Sequence, residues 1–381
     1  MELAAALGAL SAAMAGQGPA IELAADGTPN PVASGGLAPG TAAVVRTSGS
    51  TGTPKATMLG AEALAASARA TAQRLGGEGQ WLLALGPNYV AGLQVLARSI
   101  HAGTRPEVMD LSAGFTPEAF TEAADRMTGR FRITSLVPTQ LHRLLESPSQ
   151  GAVKALCRFD AILLGGARLP DSLRAAAARH ALKIVQTYGM SETCGGCVYD
   201  GVPLDGVRLA FDQGRILIGG DVVAAGYLDN PELTAAHFHR AEGTRWFRTS
   251  DLGAVHDGVL SVSGRADDVL ITGGVKVSAA AVAAAIEAVP GVRAALVAGI
   301  DNPEWGTQVG AAVVGTATED EIRSHVRREL GGPATPRHIV TLDALPLLEN
   351  GKPDRLAVAE LLKSTADVAP AGRRRPPGAG E

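Results

Sequence analysis

Apolar residues recur along the chain in two rhythms. Short runs at Trp81 to Leu85, Ile133 to Val137, Ala161 to Leu164 and Lys183 to Gln186 are bounded by turn residues and predict strands. Between them, Ala61 to Leu75 and Asp171 to His180 predict helices. The alternation predicts α/β layers, in which loops at strand carboxyl ends, here Gly165-Gly166-Ala167 and Tyr188-Gly189, line one cleft. From about Gly206 to Val262 the pattern shortens to glycine-punctuated strands, Arg215 to Ile218 and Val259 to Val262, and predicts a small β-rich subdomain. Beyond Asp267 come strand patterns Val269 to Thr272, Ala294 to Gly299 and Ala311 to Val314, with helix patterns Ala279 to Ala288 and Glu319 to Glu329, the order of a separate α+β unit. The expected division is a large domain over residues 1–265, a small one over 266–365 and a disordered tail over 366–381, rich in Pro, Gly and Ala. At the other end, Leu3, Leu7, Leu10 and Met14 share one face of a docking helix. A signal peptide does not fit, because no Lys or Arg precedes Arg46 and Glu2 has the wrong sign.

Composition narrows the partners. A chain of 381 residues with 46% hydrophobic and 19% charged residues supports a sizeable core in more than one domain. A net charge of −4 draws in neither nucleic acid nor an acidic membrane surface, and no apolar run predicts membrane insertion. Small-molecule partners are expected. Three cysteines are too few for a disulfide scaffold and suit a reducing, cytoplasmic setting. Cys194 and Cys197 form a CxxC without a second pair, which reads as small-residue packing rather than a zinc or redox centre.

The densest chemistry lies at Arg46-Thr-Ser-Gly-Ser-Thr-Gly-Thr-Pro-Lys-Ala-Thr57. Gly49 and Gly52 allow backbone N–H groups to converge on an anion, Ser48, Ser50, Thr51 and Thr53 add hydroxyl donors, and Lys55 adds a point charge to a nest that runs from Thr47 to Lys55. The loop reads as a phosphate grip. A Walker loop it is not, since Lys55 is followed by Ala56 and preceded by Pro54. Three further segments stand in order behind it: Thr187-Tyr-Gly-Met-Ser-Glu-Thr193; Thr249-Ser-Asp-Leu-Gly253 with Gly264-Arg-Ala-Asp-Asp268; and Asn350-Gly-Lys-Pro-Asp-Arg355.

Together these four segments resemble the signatures of the adenylate-forming superfamily of acyl- and aryl-CoA synthetases, luciferases and peptide-synthetase adenylation domains. The phosphate loop comes unusually early, as though an outer N-terminal subdomain were missing. That shortened frame, with Tyr89-Val-Ala-Gly-Leu-Gln-Val-Leu-Ala-Arg-Ser99, Ser135-Leu-Val-Pro-Thr-Gln-Leu141 and Leu164-Gly-Gly-Ala-Arg-Leu-Pro170, resembles the compact actinobacterial o-succinylbenzoate–CoA ligases. The resemblance implies the fold of those enzymes and ATP, Mg²⁺ and coenzyme A as the reaction's small molecules. It implies that Glu192 holds Mg²⁺, with Ser191 in place of the family's Thr, that Tyr188 stacks on adenine beside Gly165, Gly166, Ala167 and Gly189, that Asp251 meets the ribose hydroxyls, and that Arg265 contacts ribose or phosphate. By the same resemblance Lys352 is the adenylation lysine, Asp267 a hinge and Gly273-Gly274 part of the loop that serves coenzyme A. A homodimer is compatible with it.

A second carboxylate on the acid would need a cation in an apolar pocket; Arg98 is the candidate, ahead of His101. Tyr89 stands where many relatives carry a pocket-gating His, so it is expected at the substrate. Competing readings are a ligase of the same mechanism for another acid or for a carrier protein, and a catalytically silent nucleotide binder. Lys352 argues against the last.

Overall fold

The computed structural model describes residues 2–47, 55–147, 150–302, 305–348 and 351–368. The chain divides into two compact units, the first comprising Met1–Val262 with Glu349–Lys352, the second Ser263–Leu348 with Pro353–Glu381.

The first unit is built on three sheets. Its seven-stranded sheet runs in the order Val202–Pro203, Gly195–Tyr199, Ile184–Met190, Ala161–Leu164, Arg132–Leu136, Gln80–Leu83, Glu107–Val108. The last five are parallel neighbours. Parallel strands joined by helices are covered on both faces, which is why Ala161–Leu164 is buried throughout and reads as an unbroken apolar run. On one face Leu93, Val95, Leu96 and Ala97 of the helix Val90–Ala102 pack against Trp81, Leu83, Ile133 and Leu163. On the other, Leu82, Leu136, Ile162 and Leu164 meet Phe120, Leu141, Leu144 and Phe159. A five-stranded sheet, Gly226–Tyr227, Lys55–Gly60, Thr41–Thr47, Ile21–Leu23, Pro29–Pro31, carries the N-terminal helix Leu3–Met14. That helix buries Ala6, Leu10 and Ala13, whereas Leu3, Leu7 and Met14 stay partly buried at the margin, so the expected face is rotated toward the alanines. The β-rich part is the third sheet, Arg208–Asp212, Arg215–Gly219, Thr244–His256, Phe238–Ala241, with Val259–Arg265 also pairing on Thr244–His256.

The second unit has one mixed sheet, Val275–Ser278, Val269–Thr272, Gly306–Gly315, Val292–Asn302, with His338–Leu342 parallel to Gly306–Gly315. Val282 and Ile286 of the helix Ala279–Glu287 and Ile322 and Val326 of the helix Glu319–Leu330 share a core with one face of this sheet. Thr318 caps the latter helix in a capping box with Glu321. A further helix, Arg355–Val368, not expected from the pattern, buries Val358 and Leu362 against Leu296, Ile300 and Ala312 and takes up the first residues of the expected tail. Tail residues 369–381 lie outside the described residues. Among those described, no helix is long and apolar enough to cross a membrane.

Candidate active site

In the first unit the signature Thr187–Thr193 forms a hairpin rather than the loop expected at Tyr188-Gly189. The strand Ile184–Met190 runs through the motif because Gly195–Tyr199 pairs back onto it, Gly195 opposite Met190 and Gly196 opposite Gly189. Glycine is required at 189, where a Cβ would sit 2.1 Å from the Gly195 carbonyl oxygen. A short 3₁₀ turn, Ser191–Thr193, closes the hairpin, with the Thr193 hydroxyl accepting from the Met190 N–H at 3.0 Å and reaching the Gly195 carbonyl at 2.8 Å. Cys194 ends the turn at φ 50°, and burial pushes its thiol and that of Cys197 up to about 12, so both are protonated core members.

Each of the two key carboxylates takes a phenol. Tyr188 donates from its hydroxyl to Asp251 Oδ2 at 2.7 Å. Asp251 lies not on a turn but inside the 13-residue strand Thr244–His256, its N–H donating to the Thr249 hydroxyl at 3.0 Å, which donates in turn to the Ile216 carbonyl at 2.8 Å. Glu192, half-buried on the 3₁₀ turn, accepts at Oε1 from the Tyr227 hydroxyl at 2.7 Å. Burial first, and the neighbouring carboxylate second, raise both phenol pKa values, so Tyr188 and Tyr227 remain donors at any working pH. Sequence reading passed over Tyr227. One signal pointed to it: the chain has only four tyrosines, and this one follows Gly226 after the apolar run Val222-Val223-Ala224-Ala225.

Thr47 and Lys55 are register partners in neighbouring strands. Ser48, Gly49, Ser50, Thr51 and Gly52 between them lie outside the described residues. Lys55 Nζ stands 5.6 Å from the Tyr227 ring centroid. Gly165 and Gly166 follow the strand Ala161–Leu164, and neither tolerates a side chain: a Cβ at 165 would lie 2.5 Å from the Thr187 hydroxyl, and one at 166, where φ is 85°, would lie 2.9 Å from Lys352 Cε. Ala167 continues this loop and is exposed. Ser191 is buried. Lys352 is placed with this unit, its neighbour Gly351 accepting a hydrogen bond from the Thr139 hydroxyl at 2.8 Å. Burial lowers the Lys352 pKa from the ordinary 10.5, and the charge of Glu192 pulls it back. Lys352, Gly166 and Glu192 therefore gather in one place, with Tyr227 bonded to Glu192 and Lys55 over the Tyr227 ring.

Arg98 is 6% exposed on the helix Val90–Ala102, stacked 5.1 Å from the Trp81 ring and donating to the Tyr199 hydroxyl at 3.3 Å. Its Nε finds no hydrogen-bond partner and no carboxylate pairs with it among the described residues. Beside it lies a cavity of about 10 Å³ lined in part by Thr71, His101 and Ile133, room for about one water. Tyr89 stands at the N-terminal cap of the same helix.

In the second unit Arg265 chelates Asp267, Nε to Oδ1 at 2.8 Å and Nη2 to Oδ2 at 2.7 Å, ahead of the 3₁₀ turn Ala266–Asp268 that leads into the sheet. Gly273 and Gly274 form the turn between Val269–Thr272 and Val275–Ser278, with φ of 54° and 78°, and a Cβ on Gly273 would strike the Trp305 ring at 2.6 Å.

Could this first-unit site hold a divalent cation with nucleotide phosphates? Among the described residues no group of three His, Cys, Asp or Glu forms a cage. Glu192 Oε2 makes no hydrogen bond there, leaving one hard oxygen directed by the Tyr227 bond on its twin. One carboxylate with phosphate and water supplying the rest is the donor set Mg²⁺ accepts, so the residues fit the ion.

The chain matches the model of the AMP-binding enzyme family over residues 37–222 and that of the AMP-binding enzyme C-terminal domain over residues 281–352. It is 44% identical over 337 residues, 86% of either chain, to a probable 2-succinylbenzoate–CoA ligase of Mycobacterium tuberculosis (strain CDC 1551 / Oshkosh). It is 31% identical to the 2-succinylbenzoate–CoA ligase of Bacillus velezensis, covering 85% of this chain and 69% of that one. Among solved structures, o-succinylbenzoate CoA synthetase (MenE) from Bacillus subtilis in complex with the acyl-adenylate intermediate OSB-AMP superposes with a TM-score of 0.70 at 26% identity, over 84% of this chain and 69% of that one. The amide bond synthetase McbA from Marinactinospora thermotolerans gives 0.73 at 26% identity, over 85% and 70%. The architecture, the matched models and these relatives agree, and the chain belongs to the AMP-binding enzyme family.

Proposed function

We propose that this protein is an AMP-forming acid–CoA ligase that activates o-succinylbenzoate. The observation that carries the reading is the meeting of Lys352 with Glu192 and Gly166 in one unit that also holds the Tyr188–Asp251 pair. In the first half-reaction a carboxylate oxygen of the acid attacks the α-phosphorus of ATP, the bond to the bridging oxygen breaks, and pyrophosphate leaves. Two anions must approach, so catalysis is mainly positioning and cationic stabilisation. Lys55 meets the outer phosphates and Lys352 lies between the carboxylate and the α-phosphate. Asp251, already oriented by Tyr188, accepts from the ribose hydroxyls, and the Tyr188 ring, anchored at its hydroxyl, presents a fixed face to adenine. Glu192 would hold Mg²⁺, which would supply neutralisation of phosphate charge. In the second half-reaction the thiol of coenzyme A attacks the acyl carbonyl, AMP leaves with the oxygen the acid gave it, and the thioester remains.

Arg98 supports the choice of a diacid. Its buried guanidinium stacks on Trp81 and bonds Tyr199 but keeps an Nε–H without a partner and has no carboxylate partner among the described residues, and it is our candidate to meet the ring carboxylate of o-succinylbenzoate. Tyr89 at the head of the same helix we place at the acyl group. Rotation about Asp267 exchanges Lys352 for the Gly273-Gly274 turn between the two half-reactions, with Arg265 at the nucleotide. ATP and coenzyme A place the enzyme in the cytoplasm. The test is pyrophosphate release by the purified protein against a panel of aromatic and aliphatic acids, with and without coenzyme A. Release with o-succinylbenzoate well above all other acids is expected; equal release with another acid overturns the substrate, and none with any acid overturns the activity.

A further inference from the structure

Glu192 and Lys55 carry opposite charge, flank one side chain, and yet form no ion pair. Tyr227 contacts both. Its hydroxyl donates to Glu192 Oε1 at 2.7 Å, and its ring faces Lys55 Nζ at 5.6 Å, within range of a cation–π contact. The tyrosine is itself fixed from every side. It is 3% exposed, lies in the strand Gly226–Tyr227 opposite Thr57, and meets Phe238 edge-on at 5.3 Å and His237 edge-on at 6.2 Å. The segment that carries it is tied down as well. Ala224 donates to the Glu192 carbonyl at 2.9 Å, Leu228 donates to the Ala56 carbonyl at 2.8 Å, and Arg245 donates to the carbonyls of Ala224 (2.7 Å) and Ala225. Gly226, at φ 137°, admits the Thr234 side chain where a Cβ would clash at 2.6 Å.

We propose that Tyr227 is a positioning residue that holds the metal-binding carboxylate and the phosphate-binding ammonium apart. A carboxylate and an ammonium that contact the same side chain would otherwise be drawn into an ion pair, which nucleotide and metal would have to break on binding. With the phenol contacting both, one oxygen of Glu192 is occupied and aimed while the other is presented, and Lys55 is stored against a ring face that releases it at little cost. The inference rests on the roles given above to Lys55 and Glu192.

The experiment needs no acid substrate. Mn²⁺ binding to the full-length protein with ATP is followed by electron paramagnetic resonance, alongside ATP affinity and thermal midpoint, for wild type, Tyr227→Phe, Tyr227→Leu and Tyr227→4-aminophenylalanine. Loss of an outer partner of a metal ligand typically costs 10- to 100-fold in metal affinity, so Tyr227→Phe should weaken Mn²⁺ at least about tenfold while ATP affinity shifts much less. Tyr227→Leu, losing ring and hydroxyl, should weaken both. The aminophenylalanine variant keeps a donor in place and should recover most of the Mn²⁺ affinity, including where the Phe variant fails to fold. Mn²⁺ binding by Tyr227→Phe equal to wild type, or no recovery with the amine, overturns the proposal. A wild-type protein that takes up no Mn²⁺ with ATP instead refutes the roles of Glu192 and Lys55, and the proposal with them.

Discussion

At the scale of single residues, Lys352 offers the sharpest tests. Its Cε occupies the place a side chain on Gly166 would take, and with the role proposed for it Lys352→Ala should abolish most adenylation yet still convert presynthesised acyl-adenylate and coenzyme A to thioester; equal loss of both half-reactions in a folded variant would remove it from the first step. Its lowered pKa sets a pH dependence. Adenylation kcat/KM should fall as pH rises through that value, below the ordinary 10.5, because the ammonium is the active form. Between the lowered value and 10.5 the unfolded chain binds the extra proton, so stability rises with pH in that window, and Lys352→Met should abolish the rise in chemical denaturation. If Arg98 meets the ring carboxylate as proposed, Arg98→Ala leaves that carboxylate buried and unpaired. Breaking such a pair costs on the order of 3–5 kcal/mol, so kcat/KM for o-succinylbenzoate should drop by roughly hundreds-fold or more, while a benzoylpropionate analogue lacking that carboxylate is little affected. Equal losses on both would make Arg98 a packing residue of Trp81 and Tyr199.

At the scale of elements, the parallel strands were legible because burial on both faces writes them as apolar runs with glycines at their ends, and the loop Gly165-Gly166 falls where that pattern put it. The hairpin after Met190 was not legible. Its ladder depends on Gly189 and Gly196 letting two backbones approach, and a sequence records the glycines without their partner. Tyr227 was missed for a similar reason: the bond to Glu192 joins residues brought together by two sheets rather than by spacing in the chain. The hairpin also yields a stability prediction. Gly189→Ala forces a Cβ onto the Gly195 carbonyl and should cost about 1–3 kcal/mol in denaturant unfolding, with activity lost alongside. Leu10→Ala, at a fully buried position of the N-terminal helix, should cost about 2–5 kcal/mol with kcat nearly kept. A cost near zero would mean that this helix does not hold the sheet it covers.

At the scale of the whole molecule, the proposed reaction has two half-reactions, and Asp267 is the proposed hinge between them. Proline there fixes φ near −65° and removes the carboxylate that chelates Arg265, so Asp267→Pro should impair thioester formation far more than adenylation in separate assays. Unaltered complete turnover would remove Asp267 as pivot. The central claim is that the acid's own oxygen attacks the α-phosphorus of ATP, and oxygen tracing tests it most directly. o-Succinylbenzoate labelled with ¹⁸O in its carboxylates is turned over with ATP and coenzyme A, and the products are weighed by mass spectrometry. One ¹⁸O in AMP, none in pyrophosphate and one retained at the thioester carbonyl is the predicted result; unlabelled AMP, or label in pyrophosphate, would contradict it.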